Sequence, residues 1–267
     1  MNIELAIIGG TGVYDPEMLS DIREENIETE FGNVPVKIGT LPNRVSAAFL
    51  PRHGAGHTVP PHLINYRANI KALKLLGVTK IIATGAVGSL DLTYQPGDFV
   101  LLDQFIDFTK SRVMTFYGGG GQGVVHVDMT GPYCPEIREL LIIAASKANV
   151  SLKSTGVTYI CTEGPRFETP AEINMFSQFG GQVVGMTSVP EVILAREAEI
   201  CYATIGMVTN YAAGISPNPL THQEVVETMQ QTQGRLRELI VAAIAHAHEY
   251  KRECSCKSAI AELGKFK

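Results

Sequence analysis

Hydroxyl and amide side chains flank two apolar segments in the second half of the chain. Thr187 and Ser188 stand where a helix would begin, and Pro190 suits the first turn of that helix. The unpaired backbone N–H groups of a helix start attract anions. Asn210 ends the apolar run 200–209, and ligands bind at the carboxyl ends of parallel strands. We therefore expect an anion pocket beside a lone amide, although a helix cap and a turn Asn would account for the same residues.

A glycine-rich segment near the N-terminus, GGTG at residues 9–12, follows a short apolar run. Glycines let the backbone approach a ligand, and the Thr11 hydroxyl can donate to an anion. A dinucleotide-binding fingerprint would need a third glycine, but Asp15 occupies that position and Pro16 follows it. The pattern favours an anion loop over a dinucleotide site.

Two further loops follow apolar runs and suit an anionic ligand. In PRHG at residues 51–54, Arg52 offers a planar bidentate fork for phosphate and His53 a second donor. In TGAVGS at residues 84–89, small residues would let the chain lie against a flat ring or a phosphate. A surface Arg with turn histidines and a tight strand-to-helix connection are the plain alternatives.

The segment at residues 161–172 has side chains suited to an aromatic ligand. Phe167 can stack on a ring, and Glu168 can accept hydrogen bonds from it. Alternatively, Thr169 caps the following helix and Glu168 is solvated.

The pattern of apolar residues predicts strands alternating with helices in one α/β domain. Such alternation indicates right-handed crossovers and a mixed, mainly parallel central sheet flanked by helices. Strands are predicted at residues 5–8, 45–50, 80–84, 99–102, 154–161, 182–185 and 200–209. Helices are predicted at residues 63–76, 135–148, 171–179, 192–199 and from 221 or 222 to 250. The domain is expected to cover residues 1–250, followed by a charged tail at 251–267.

Composition and charge exclude several classes of protein. The chain has 267 residues, 45% of them hydrophobic, which is enough for a sizeable core. A net charge of -5 argues against a nucleic-acid surface. We see no targeting segment and no apolar run of membrane-spanning length, so a cytoplasmic protein is expected.

Five cysteines form neither a disulfide framework nor a recognisable zinc motif. Cys134, Cys161 and Cys201 are expected to be packing thiols, and no metal is predicted. Cys254 and Cys256 lie in a polar tail that is expected to be exposed, where they could form a redox-active bridge or remain two ordinary thiols.

Taken together, the loops resemble the trimeric and hexameric purine nucleoside phosphorylase family, which includes the methylthioadenosine phosphorylases. The matching motifs are GGTG, PRHG, GPRF at 164–167 and MTSVPE at 186–191, in that order. The resemblance implies that phosphate is held by Thr11, Arg52, His53, Gly85, Ala86 and Thr187. Methylthioadenosine phosphorylases often have a Thr at the position of Gly85, so backbone amides would replace that hydroxyl here.

The resemblance also assigns residues to the nucleoside. It implies that Met186 lies under the ribose and that Phe167 packs against the base, with Tyr66 a further sugar-site candidate. Methylthioadenosine phosphorylases have aspartates at the positions of Asn210 and Ala212. Here Glu168 and Asn210 instead resemble the inosine- and guanosine-cleaving branch, in which Glu accepts the N1 hydrogen and the Asn amide serves O6 and N7.

Two histidines are assigned through the same resemblance. His222 matches the position that faces the sugar 5′ group, where a His favours a 5′-hydroxyl over methylthio. The family assembles as trimers or dimers of trimers with sites completed by a neighbour, so a homotrimer or homohexamer is expected. The candidate donor segment is 105–127, which includes His126.

The implied function is phosphorolysis of 6-oxopurine nucleosides. Phosphate is then a co-substrate, and neither an organic cofactor nor a metal is required. Asn210 and Glu168 would be the catalytic residues, because they stabilise charge on the departing base. The alternatives are a methylthioinosine or methylthioadenosine phosphorylase, and a non-enzymatic nucleoside- or phosphate-binding module.

Overall fold

Among the residues that the structure describes, eleven strands form a branched central sheet. The computed structural model describes residues 3–9, 19–40, 45–54, 56–216, 222–247 and 250–261. Within them the strands are β1 Leu5–Gly9, β2 Ser20–Thr29, β3 Gly32–Thr40, β4 Ser46–Pro51, β5 Lys80–Ser89, β6 Phe99–Leu101, β7 Gln104–Phe108, β8 Leu152–Lys153, β9 Thr158–Thr162, β10 Val183–Gly185 and β11 Cys201–Tyr211. The helices are α1 Tyr66–Leu75, α2 Pro135–Lys147, α3 Pro170–Gln178, α4 Ser188–Glu197 and α5 His222–Ala247.

Strand β5 is the branch point of the sheet. One path runs β2-β3-β4-β1-β5-β10-β9-β7, and β11 leaves β5 to pair with β6, which pairs with β8. The ladders of β1 with β4 and β5, β5 with β11, β9 with β7 and β10, and β6 with β8 are parallel. The remaining four ladders are antiparallel. The predicted mixed, mainly parallel sheet is confirmed.

The hairpin of β2 and β3 was not predicted from the sequence. Residues of β2 are largely exposed and charged, so they show no apolar alternation. In β3, Val34, Val36 and Ile38 are buried in alternation, as expected for a strand with one face on a core. Pairing with β3 therefore makes β2 a strand despite its polar composition.

Helices cover both faces of the sheet, and α5 is the longest of those described. Its buried residues Leu236, Leu239, Ile240, Ala243 and Ile244 lie at helical spacing. They share a core with α2 and with one face of β1, β5 and β11. This confirms the predicted packing of the last helix on the sheet. None of the helices among the described residues is long and apolar enough to cross a membrane.

The tail after α5 is not wholly exposed, contrary to expectation. Cys256 is 2% exposed and Cys254 is half-buried. Lys80 anchors the end of α5, because its Nζ donates to the carbonyls of Ala247 and Tyr250 at 2.8 and 3.0 Å. The tail therefore packs against the amino-terminal end of the central strands. The division at residue 250 stays a prediction.

Candidate active site

A cavity of 410 Å³ opens at the carboxyl ends of β4, β10 and β11, beside the later half of β5. This edge of a parallel sheet is where ligands bind in α/β folds. Ten of the residues predicted for the site line the cavity: Arg52, His53, Gly85, Ala86, Phe167, Glu168, Met186, Thr187, Asn210 and Ala212. Thr11 lies outside the described residues, and so does the side chain of His222.

Strand β5 passes through the segment that was predicted to be a loop. It continues without interruption to Ser89. Along one side, β1 pairs with it only as far as Ala83, and β10 pairs with it from Gly88 onward. Among the described strands, residues 84–87 therefore have no partner on this side, and Gly85 and Ala86 line the cavity there. The predicted loop is wrong, but the expected open backbone is provided by a strand edge.

Arg52 is held by a buried carboxylate on α4. Its Nε and Nη2 donate to the two carboxylate oxygens of Glu191 at 2.7 Å each, and its Nη1 donates to the Thr84 carbonyl at 2.8 Å. Tyr202 Oη also donates to Glu191 at 2.8 Å. Burial opposes the charge of Arg52, but Glu191 keeps the pKa of the guanidinium above its ordinary value.

The Glu191 contact changes the predicted role of the guanidinium. Glu191 already occupies the edge of the Arg52 guanidinium formed by Nε and Nη2. Phosphate therefore cannot bind to that edge as the sequence predicted. Three of the five N–H donors of Arg52 have partners in the described residues. One N–H on Nη1 and one on Nη2 remain, and because Arg52 lines the cavity, these groups can donate to an anion there.

His53 does not have the expected form of a second donor. Its Nδ1 lies 2.9 Å from the Val59 carbonyl, which can only accept, so Nδ1 carries a hydrogen. Burial and the charge of Arg52 lower the pKa of His53 to about 4. The ring is therefore neutral near pH 7, and Nε2 presents a lone pair. His53 can accept a hydrogen bond from a ligand hydroxyl rather than donate one.

The start of α4 also differs from the predicted helix cap. The Thr187 side chain makes no capping hydrogen bond, and Val189 has non-helical backbone angles. The Thr187 N–H is not free, because it donates to Tyr159 Oη at 3.0 Å. The hydroxyl of Thr187 instead faces β5, where a Cβ on Gly85 would lie 3.4 Å from it. Thr187 thus offers its hydroxyl, not its amide, to the cavity.

Glu168 and Phe167 also line the cavity. Glu168 Oε1 accepts a hydrogen bond from Thr162 Oγ1 at 2.6 Å, and burial raises the pKa of the carboxyl. The second oxygen remains for a ligand. Phe167 is 44% exposed, as expected for an aromatic ring that a ligand would cover. Thr169 also caps α3 in a capping box with Glu172, so that alternative holds alongside the cavity position of Glu168.

Met186 is positioned by a nearby glycine. Gly164 has a φ of 66°, and a Cβ there would lie 2.6 Å from Met186 Sδ. A larger residue at position 164 would therefore be strained in its backbone and would require the Met186 thioether to shift. The GPRF motif and the MTSVPE motif meet at this contact.

A bulge in β11 directs Asn210 into the site. The register with β5 shifts between Val208 and Asn210, so Thr209 is the extra residue. Asn210 Nδ2 donates to the Tyr211 carbonyl at 2.9 Å, and Oδ1 lies 2.8 Å from Thr209 Oγ1. Because the carbonyl can only accept, the amide orientation is determined. One N–H and one oxygen lone pair of Asn210 remain for a ligand.

One wall of the cavity was not recognised from the sequence. Val225, Val226 and Met229 of α5 line it. Val225 and Met229 lie at helical spacing with the packing residues of α5, and such spacing alone cannot separate a core contact from a cavity wall. These side chains make that end of the cavity apolar.

Two of the remaining candidates lie away from the cavity lining. Tyr66 is buried, and its hydroxyl donates to the Pro61 carbonyl at 3.1 Å. His126 is exposed in a segment with no strand or α-helix. Neither residue lines the cavity of this protomer. A role for either in binding would require a neighbouring protomer or a conformational change of the cavity.

The fold and the cavity together define a class of protein. One cavity at the edge of a mixed α/β sheet is lined by Arg52 and Thr187, which suit an anion, and by Glu168 and Asn210, which can form hydrogen bonds with a planar ring. This is the arrangement of an enzyme that brings a small anion and a base-bearing substrate together.

Comparison with known proteins agrees with that class. The chain matches the Phosphorylase superfamily over residues 4–245. It is 56% identical to a probable 6-oxopurine nucleoside phosphorylase of Dictyoglomus turgidum, covering 97% of each chain. It is 54% identical to the 6-oxopurine nucleoside phosphorylase of Pyrococcus furiosus, covering 96% of this chain and 97% of the relative. Methylthioadenosine phosphorylase from Schistosoma mansoni in complex with adenine shares 34% identity and a TM-score of 0.92 over 98% of each chain. The chain belongs to the phosphorylase superfamily and is an enzyme of that class.

Proposed function

We propose that this enzyme cleaves 6-oxopurine nucleosides with phosphate, giving the free base and ribose 1-phosphate. The observation that supports this most is the pairing of Glu168 with Asn210 in one cavity. The remaining Glu168 oxygen matches the N1 hydrogen of hypoxanthine or guanine. The remaining N–H and lone pair of Asn210 match O6 and the N7 hydrogen that forms as the base leaves.

The phosphate is assigned to the opposite end of the cavity. The two remaining N–H groups of Arg52, the Thr187 hydroxyl and the backbone of Gly85 and Ala86 supply donors. His53 Nε2 accepts the hydrogen of a monoprotonated phosphate. Phosphate then attacks the anomeric carbon as the purine departs, and Asn210 stabilises the charge that develops on the base. No electron sink or redox step is involved, so we propose that phosphate is the only co-substrate.

A panel of nucleosides tests this assignment. Inosine, guanosine, adenosine, methylthioinosine and methylthioadenosine are compared with and without phosphate. We expect phosphate-dependent release of base from the 6-oxopurines, with adenosine disfavoured by about 10⁴-fold in kcat/KM because an ionised Glu168 would face a ring lone pair. Release without phosphate, or preference for adenosine, would contradict the proposal.

One feature of the cavity favours a second candidate substrate, methylthioinosine. Val225, Val226 and Met229 form an apolar wall of the cavity. This wall suits a methylthio group as well as the carbon atoms of the ribose. Methylthioinosine keeps the 6-oxo pattern that Glu168 and Asn210 would read. The ratio of kcat/KM for methylthioinosine to that for inosine decides between the two, and the His222 hydroxyl contact expected from the resemblance predicts a ratio below one.

The pH profile gives a separate prediction for Glu168. Protonation removes its acceptor for N1–H, so kcat/KM for inosine should fall as pH drops through its raised pKa, above the usual Glu value of about 4.3. The pKa of His53 is lowered to about 4, so we expect its protonation as a separate step at lower pH than that of Glu168. The Glu168→Gln variant should be less active and should lack this acid limb. If kcat/KM of the variant still falls at low pH as in the wild-type enzyme, a group other than Glu168 is responsible for that fall.

The oligomer and location are further parts of the proposal. We propose a cytoplasmic homotrimer or homohexamer in which residues 105–127 reach a neighbour's cavity. His126 is exposed in one protomer, and Phe167 leaves part of its ring uncovered at the cavity. Light scattering measures the molar mass of the oligomer. The His126→Ala variant should have a higher KM for inosine and the same oligomer mass as the wild-type enzyme. A monomer with full activity would contradict this assignment.

A further inference from the structure

Four cysteines from three parts of the chain meet at the amino-terminal end of β11. Cys134 precedes α2, Cys201 begins β11, and Cys254 and Cys256 lie in the tail. Their sulfur atoms all lie within 4.8 Å of one another. Sequence reasoning treated these cysteines separately, as two packing thiols and an exposed pair, because they are up to 122 residues apart. Cys161, the remaining cysteine, is not part of the cluster.

The spacing of the sulfur atoms suits one tetrahedral metal ion. The Sγ atoms of Cys201 and Cys254 lie 3.3 Å apart, and those of Cys134 and Cys254 lie 3.6 Å apart. A tetrahedron with metal–sulfur bonds of about 2.3 Å has sulfur–sulfur edges of about 3.8 Å. Three of the four residues are buried and the fourth is half-buried. Structural zinc sites are closed, four-coordinate sites of this kind.

Two guanidinium groups are directed at the sulfur atoms. Arg196 Nη1 lies 3.4 Å from Cys256 Sγ, and Arg252 Nε lies 3.3 Å from Cys201 Sγ. Both side chains are held in place by backbone carbonyls, of Gly131 and Glu199 respectively. N–H donors around metal-bound thiolates orient the ligands and offset their charge. Four thiolates around a divalent ion carry a net charge of 2−, which two guanidinium groups balance.

We propose that Cys134, Cys201, Cys254 and Cys256 bind one divalent cation of the zinc class as a structural tetrathiolate site. Binding converts four thiols to thiolates, and their protons pass to solvent. No oxidant or reductant is needed. Cys201 and Asn210 are nine residues apart on β11, so the metal lies roughly 30 Å from the base-binding end of the cavity at about 3.3 Å per residue. The ion therefore fastens the tail to the sheet and takes no part in phosphorolysis.

Metal content and cobalt spectroscopy test the site on the full-length protein. The chain is purified under reducing conditions without chelators, and zinc is measured per chain. We expect about one zinc, and Co²⁺ reconstitution should give sulfur-to-cobalt charge-transfer bands and tetrahedral ligand-field bands. Removing the metal with a chelator should lower Tm, while kcat for inosine measured below the new Tm stays unchanged.

Substitutions of Cys254 and Cys256 test the site without changing a residue of the central sheet or of the five α-helices. Cys254→Ser and Cys256→Ser should each weaken metal binding by about 100-fold and lower Tm, whereas Cys161→Ser should retain one metal per chain. A folded, metal-free wild-type protein with five titratable thiols would overturn the proposal. So would disulfide bonds among the four cysteines under these conditions, or equal metal loss in Cys161→Ser. Each of these results leaves the phosphorylase assay unaffected.

Discussion

Replacing Asn210 by Asp is expected to lower kcat/KM for inosine by about 10³-fold and to raise kcat/KM for adenosine. The amide N–H that would serve O6 is lost, and the new carboxylate oxygen faces the O6 lone pairs. Toward adenosine the same carboxylate can accept a hydrogen from the 6-amino group. Phosphate-dependent release of each base, measured at several substrate concentrations, gives both values.

Asn210→Ala is the matched control for this exchange. It removes both ligand contacts without adding a charge, so inosine cleavage should fall by about 10²-fold and adenosine cleavage should not rise. Thermal unfolding of both variants separates these effects from stability, because Asn210 also donates to the Tyr211 carbonyl within the bulge. Near-normal inosine cleavage by both variants would remove Asn210 from base recognition.

Replacing Glu191 by Gln is expected to lower the free energy of unfolding by about 3 kcal/mol. The Arg52 and Glu191 side chains are 1% and 0% exposed, so the change leaves a buried guanidinium without its counter-charge. The KM for phosphate should also rise, because Arg52 is no longer held at two points. Chemical denaturation and phosphate titration at saturating inosine measure the two effects.

The exposed pair of Arg166 and Glu172 supplies the comparison for that measurement. This pair is also bidentate, although it uses Nη1 and Nη2 of the arginine, and its side chains are 62% and 32% exposed. Solvent screens such a pair, so Glu172→Gln should change the free energy of unfolding by less than about 1 kcal/mol and leave the KM for phosphate unchanged. Equal losses in the two variants would mean that burial of the Arg52 pair carries no special stabilisation.

Much of the fold was predictable from the sequence, because local patterns of apolar residues indicate strands and helices. Apolar runs gave the central strands β1, β4, β5 and β11 to within a few residues, except that β5 extends farther than predicted. The β2–β3 hairpin was missed, since β2 is a strand only through its partner. The extension of β5 through Gly85 was missed for a related reason: small residues after a strand indicate a turn unless the neighbouring strand continues beside them.

The site was predictable in its residue types and less so in their roles. Ten predicted residues line one cavity, since strand ends of a parallel sheet converge on the same edge. The role of His53 as a donor was wrong, because its tautomer depends on a carbonyl six residues away. The bidentate edge of Arg52 is used by Glu191, which is 139 residues distant. No local pattern reveals such a partner.

By itself, the sequence determined the order of motifs, the family they belong to and the chemical groups available to a purine and a phosphate. Tertiary structure alone decided how those groups are presented: the bulge that directs Asn210, the carboxylate that holds Arg52, and the meeting of four cysteines from distant segments. The physical reason is that residue type and periodicity are local properties of a chain. Hydrogen-bond partners, burial and metal-ligand geometry depend on contacts between residues far apart in sequence, and these exist only once the chain has folded.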